Sequence, residues 1–217
     1  MTFSAENSLV LVVLLAAAAG LLALAQRIRI PYPILLVLGG LALGFVPGMP
    51  RIAIEAVVMA PAGDVRVITT HLEYYSALQR MAQTEALRTV YADGYAHARD
   101  GRITMDDGSP FQTFMRPKWT VITGDFNFEP DAPEHSRMLT PFDDGTPALF
   151  DAWQVAHPGS PHPSTQCIYQ KTDSSDEELH CDFIFLGGGL DKRLKDIVVD
   201  QQTQASDHQP VIVTLDV

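Results

Sequence analysis

The feature that most constrains this chain is an abrupt change of polarity near residue 50. The first 50 residues hold long apolar runs and three charged side chains, Glu6, Arg27 and Arg29. Leu9 to Ala25 is a run of 17 residues without a charge, close to the minimum that crosses a hydrocarbon core. A cleaved signal peptide would place basic residues before such a run and a small-residue cleavage site after it. Here the preceding MTFSAEN is acidic, and Arg27 and Arg29 follow instead. The pattern points to a transmembrane helix with those arginines on the cytoplasmic side. A second run, Ile34 to Val46, follows Pro31 and Pro33, ends at Pro47 and carries Gly40 and Gly44 at helix-packing spacing. The expected organisation is a membrane-spanning helix or hairpin in 1–50, inserted through residues 9–46, followed by a water-exposed domain in 51–217. The side of the membrane on which that domain stands depends on whether Ile34–Val46 also spans.

Charge bears on what the second part binds. The chain carries 15 basic and 26 acidic residues, a net charge of -11. Two of the basic and one of the acidic residues precede position 51, so 51–217 holds 13 and 25, a net of -12. Proteins that grip long DNA draw most of their affinity from phosphate neutralisation by clustered Lys and Arg, and no such cluster is present. The acidity fits a solvated surface, and it equally fits a metal site acting on a small phosphorylated substrate. Cys167 and Cys181 stand 14 residues apart with no CxxC pair, so a cysteine zinc site is not expected, and two buried free thiols are favoured over a disulfide.

Arg51–Ala60 and Val65–Leu72 read as the strands of a hairpin around the turn Pro61-Ala62-Gly63-Asp64. Tyr75 to Tyr91 reads as a helix with Leu78, Met81, Ala82, Ala86 and Val90 on its buried face; Gly94 weakens it and Gly101 ends it. Trp119–Thr123, Cys181–Leu186, Ile197–Val199 and Val211–Leu215 are further strands. Residues 128–178 show no long periodic element and read as functional loop or surface. Strands outnumber helices, which predicts a layered α/β (α+β) sandwich.

Four short motifs occur in order: Thr70-His71-Leu72-Glu73 and Gly124-Asp125-Phe126-Asn127 at strand ends, Asp182-Phe183-Ile184-Phe185 within a strand, and Ser206-Asp207-His208 just before the last strand. Each alone has an ordinary reading. His71 can be an edge histidine, the second motif a turn that suits Asn in αL geometry, Asp182 a strand start and the last a cap. Together they supply the inventory of phosphoester hydrolysis. Carboxylates hold a divalent cation, the cation neutralises phosphate, one base activates water, and an imidazole supports the transition state.

In this order and spacing the four motifs resemble the endonuclease/exonuclease/phosphatase superfamily, across about residues 51–217. The resemblance implies a four-layer sandwich of two β-sheets flanked by helices, of which this chain holds a part. It implies that Asp125 orients or deprotonates the attacking water, that Asn127 positions phosphate or metal, and that Asp207 is a metal ligand. It implies that His208 contacts the scissile phosphate, held by Asp182, and that His71 hydrogen-bonds the phosphate. The metal is Mg²⁺ or Mn²⁺, with Asp125, Asn127 and Asp207 as ligands, and the substrate is a phosphorylated small molecule or a nucleic acid. The family's opening strands, with an Asn motif and a metal-binding Glu, have no counterpart upstream of His71, and Glu55 is not assigned that role. The implied catalyst is therefore impaired. Residues 8–50, with QRIRIPYPILLVLGGLALGFVPGMP, resemble the start of bacterial sodium/proton antiporters, which places the expected anchor in a bacterial inner membrane. The ion-carrying helices of that family are absent. Three functions follow: a metal-dependent phosphoesterase, a membrane-anchored non-catalytic fusion fragment, or a transport-protein fragment. No protein partner is expected.

Overall fold

The computed structural model describes residues 53–101, 114–169 and 178–217. The chain divides into two units at Arg51 and Ile52, and all described residues lie in the second. The expected membrane segment, 9–46, lies outside the described residues. Among those described, no helix is long and apolar enough to cross a membrane.

The strands form where β-branched residues cluster. In chain order the elements are β1 (Ile54–Val58), β2 (Val65–His71), α1 (Ala77–Asp100), β3 (Thr120–Asp125), α2 (Pro133–Leu139), β4 (Phe150–Asp151), α3 (Ala152–Ala156), β5 (Asp182–Gly187), β6 (Leu194–Val199) and β7 (Val211–Leu215), with a 3₁₀ turn at Leu190–Arg193. A five-stranded sheet runs β1-β2-β3-β5-β4, and β6 and β7 form a second, two-stranded sheet. β2 and β3 are parallel and joined through α1, whereas β1–β2, β3–β5 and β4–β5 are antiparallel. The mixed α/β architecture is thus as expected.

Because strand side chains alternate between faces, the large sheet builds two cores. On one face Ile68, Ile122, Phe183 and Phe185 pack with Leu87 and Tyr91 of α1 and Met138 of α2. On the other, Val65, Val121, Ile184 and Leu186 meet Ile197 of β6, with Val211 and Val213 of β7 against them. The described layers are helix, sheet and sheet. The outer face of the small sheet leaves Val198 and Ile212 exposed, and no described helix covers it. Where a partial four-layer sandwich was expected, the described residues form three layers.

Helix α1 corrects the sequence reading. Ser76 caps its start through its side chain, and Gly101 in the left-handed region ends it, so it runs nine residues beyond Tyr91. Its buried residues are Thr84, Leu87, Arg88, Tyr91 and Gly94, while Leu78 is 83% exposed. The face combines apolar Leu87 and Tyr91 with paired polar groups. Arg88 donates to the carbonyls of Arg137 and Met138 at the end of α2, at 2.9 Å each, and stacks 4.0 Å over Phe142. Arg66 of β2, wholly buried, reaches under α1 to the Val90 and Tyr91 carbonyls and to Glu55 at 2.7 Å. A Cβ on Gly94 would lie 1.9 Å from that guanidinium, so Gly94 makes the passage rather than weakening the helix. Segment 128–178, expected as loop, contributes α2, β4 and α3.

Candidate active site

The parallel pairing of β2 and β3 brings their C-terminal ends level, His71 beside Asp125. The antiparallel pairing of β3 and β5 sets Asp125 opposite Asp182, the first residue of β5. Two carboxylates and one imidazole thereby share a sheet end. Gly124 permits the close approach: its φ is 141°, and a Cβ there would lie 2.0 Å from the Thr70 carbonyl oxygen.

The turn after β3 fixes Asp125. Asn127 adopts φ 52°, its backbone N–H donates to Asp125 Oδ1 at 2.8 Å, and its Nδ2 donates to the Leu72 carbonyl at 2.7 Å. With one Nδ2 hydrogen committed, Asn127 keeps its amide oxygen and a second N–H to offer a ligand. The other oxygen of Asp125, Oδ2, lies 3.4 Å from His71 Nε2 and 3.9 Å from His208 Nε2. Burial pushes the Asp125 carboxyl above its ordinary range and the charge of Asp182 adds to this, against the Asn127 hydrogen bond and the two imidazoles.

His208 arrives from the segment between β6 and β7. Gln166, which also bridges to Leu179, forms an isolated β-bridge with it. His208 Nδ1 is 2.9 Å from Asp182 Oδ2, within the hydrogen-bond reach expected for this pair. Burial pulls the His208 pKa down, but the hydrogen bond and charge of Asp182, with Asp125 and Asp207, more than offset it and leave the imidazole more basic than usual. The structure thus brings His71, Asp125, Asn127, Asp182 and His208 to one end of the sheet. Asp207 stands apart. It is exposed, accepts from the Ser206 hydroxyl at 3.1 Å, and its backbone carbonyl takes the Cys167 N–H.

Donor chemistry decides what ion these residues suit. The ligand atoms of Asp125, Cys181 and His208 lie within 4.8 Å of one another. Burial, reinforced by Asp182 and Asp125, pushes the Cys181 thiol far up, so it remains an S–H that donates to Gln166 Oε1 at 3.3 Å. What remains of that group is the Asp125 carboxylate and the His208 imidazole; the oxygen donors at this sheet end, the Asp125 carboxylate and the Asn127 amide, are the hard kind that suits Mg²⁺ and Mn²⁺. The fit is to a sparse oxygen set. Glu55 of β1 adds nothing to it, being tied to Arg66 of β2. No disulfide joins Cys167 and Cys181.

A second cluster escaped the sequence reading. His135 of α2, Asp151 of β4 and His162 gather ligand atoms within 4.8 Å. They are 16 and 11 residues apart along the chain, and no local motif announces them.

No protein-family model matches the chain, and no curated protein does. Among solved structures it is similar to the 3′ phosphatase NExo of Neisseria bound to a product DNA hairpin, at 23% identity over 81% of this chain and 68% of that one, with a TM-score of 0.49. It is similar to an endonuclease/exonuclease/phosphatase of Bacteroides vulgatus, at 17% identity over 70% and 50%, with a TM-score of 0.47. An AP endonuclease of Archaeoglobus fulgidus gives 18% identity over 75% and 65%, with a TM-score of 0.44. The chain spans 50% to 68% of the length of these three proteins, and none of the comparisons shows an antiporter-like beginning. The functional reading is carried by the residues at the sheet end, where a basic imidazole is clamped by one carboxylate and faces another.

Proposed function

We propose that this chain carries the catalytic end of a divalent-cation-dependent phosphoesterase of the endonuclease/exonuclease/phosphatase superfamily. The observation that carries the reading is His208, with Nδ1 on Asp182 and Nε2 turned toward Asp125. That hydrogen bond fixes the ring and stabilises its charged form, so Nε2 presents a proton to a phosphate oxygen. Asp125, held by the Asn127 N–H and raised by burial, is poised to take a proton from water. His71, 73% exposed at its side chain, stands at the mouth and donates to the phosphate. Asp125 and the Asn127 amide oxygen would hold Mg²⁺ or Mn²⁺, with Asp207 as the exposed carboxylate available to join them. When bound, the cation neutralises phosphate charge and lowers the pKa of its water. The substrate class is a phosphorylated small molecule or a nucleic acid.

With few carboxylates in the set, the cation is held weakly, and the expected turnover is slow. The test is hydrolysis of a nitrophenyl phosphodiester by the purified chain with excess Mg²⁺ or Mn²⁺. Metal-dependent turnover that disappears in Asp125→Ala supports the reading. A folded chain with no metal-dependent turnover favours the membrane-anchored, non-catalytic alternative.

A further inference from the structure

We propose that Thr165 is a positioning residue for the phosphoesterase chemistry: without touching the reacting groups, it sets the Asp182–His208 pair. The inference rests on the function proposed above. Thr165 lies in the connection between α3 and β5, and no motif marks it.

The pair needs a device to hold it. Asp182 and His208 are 26 residues apart, one at the first residue of β5 in the large sheet and the other on the segment before β7 of the small sheet. The two sheets meet through apolar side chains such as Ile184, Leu186 and Ile197. Apolar burial is non-directional, whereas a hydrogen bond weakens steeply as its angle and length leave the optimum. Sheet packing alone therefore does not fix the 2.9 Å contact between Asp182 Oδ2 and His208 Nδ1. Strand β4 does not complete the task, because it pairs with Phe185 and Leu186 and does not reach the first residues of β5.

Segment 165–167 joins the two sides. The Thr165 N–H donates to the Leu179 carbonyl at 2.8 Å, and the Thr165 carbonyl accepts from the Gln209 N–H at 2.7 Å. Gln166 bridges Leu179 and His208. The Cys167 N–H donates to the Asp207 carbonyl at 2.9 Å. Most residue types could make those backbone bonds. The Thr165 side chain adds what a hydroxyl supplies: Oγ1 accepts from the Cys181 N–H and from the Asp182 N–H, at 3.2 Å each. Thr165 is wholly buried and Cys181 nearly so. A buried N–H left without a partner is costly, so the start of β5 follows this oxygen. Thr165 thus grips the Asp182 backbone with its side chain and the residue after His208 with its carbonyl.

Loss of the hydroxyl frees the Asp182 backbone to shift. Oδ2 then parts from His208 Nδ1, and the ring no longer presents Nε2 to Asp125. Substrate binding stays in place while the chemical step slows.

The experiment compares the purified full chain, carrying isotopically labelled histidine, with Thr165→Val and Thr165→Ser, each with its fold verified by circular dichroism. Valine keeps the shape and removes the acceptor; serine keeps the acceptor. The first readout is the nuclear magnetic resonance signal of the His208 Nδ1–H, shifted downfield by its bond to a carboxylate and assigned by its loss in Asp182→Ala. The second is kcat and KM for a nitrophenyl phosphodiester at saturating Mn²⁺. Thr165→Val should lose the downfield signal and show a kcat about tenfold to a hundredfold lower, with KM little changed. Thr165→Ser should keep the wild-type signal and kcat. In an Asp182→Ala background Thr165→Val should lower kcat no further, because both changes act on one pair. Should Thr165→Val not fold, Thr165→Ala, which removes the same oxygen, takes its place. The proposal is overturned if the folded variant lacking the hydroxyl keeps the downfield signal, if Thr165→Ser loses it, or if the loss of kcat adds in full to that of Asp182→Ala. A wild type without turnover fails the phosphoesterase reading instead, and the signal then decides the role of Thr165 alone.

Discussion

Asp125 and Asp182 stand directly opposite each other in the register of β3 and β5, a placement in which like charges repel. The histidines at the sheet end turn that cost to use: His208 holds Asp182 with Nδ1 and presents Nε2 to Asp125. Removing Asp182 should therefore act through His208. Asp182→Ala is expected to lower kcat for a nitrophenyl phosphodiester by about a hundredfold, with KM little changed, and Asp125→Ala by about 10²- to 10⁴-fold. Steady-state kinetics at saturating Mn²⁺ would show it; an unchanged kcat in both variants would remove the proposed roles.

Gly124 delivers Asp125 to the site, at a φ of 141° and with the Thr70 carbonyl where a side chain would begin. Gly124→Ala must strain the backbone and part β2 from β3. The expected loss is about 3 kcal/mol of stability, measured as a lower urea midpoint.

Arg88 is the buried cation that terminates α2, through the carbonyls of Arg137 and Met138. Arg88→Met should cost about 3 kcal/mol, because those carbonyls lose a charged donor. Glu85, whose pair with Arg137 is about half exposed, offers the contrast. Glu85→Gln should cost less than about 1 kcal/mol. Urea unfolding of both variants measures the difference.

Tyr91 gives the fold an alkaline limit. Burial pushes its hydroxyl up to about 12, while it donates to the Pro147 carbonyl and accepts from the Gly188 N–H. The unfolded chain releases this proton near pH 10, so the native state binds more protons between about pH 10 and about 12. Stability is flat below that window and falls as pH rises through it. Tyr91→Phe should be less stable at neutral pH but lack this component of the alkaline loss, seen by comparing melting temperatures across the window.

The helix face and the strands show why the sequence was legible in one place and not the other. β2, β3 and β5 are short β-branched or aromatic runs; the first two end in His71 and Asp125 and the third begins at Asp182, so pattern and chemistry coincide. In α1 the pattern misleads. Arg88 and Thr84 are buried because Arg88 finds carbonyls on α2 and Thr84 bonds the Arg80 carbonyl, partners that no periodicity reveals. Leu78, counted as core, points to solvent. His135, Asp151 and His162 were silent for the same reason: they meet only through the packing of α2 against β4 and the following loop. Asp207, carried by its motif, lies outside the gathered ligand atoms because it is the neighbouring His208 that turns inward.

The apolar run Leu9–Ala25 supports a further proposal, that the chain is held in a membrane. Alkaline carbonate extraction of cells expressing the full chain should leave it in the pellet. Recovery in the supernatant would end the anchor reading.

The pairing of β3 has a consequence in time. Its partner on one side, β2, has already been made when β3 appears, but its partner on the other, β5, begins at Asp182, after residues 126–181. A ribosome adding about 5–20 residues per second needs roughly 3 to 11 seconds to cover that interval. Through those seconds the hydrogen-bonding edge of Thr120–Asp125 is open to any other nascent strand. Non-local pairings of this kind also fold slowly, so the yield of the native chain should depend on synthesis rate and on holdase chaperones more than on the stability of the finished sheet.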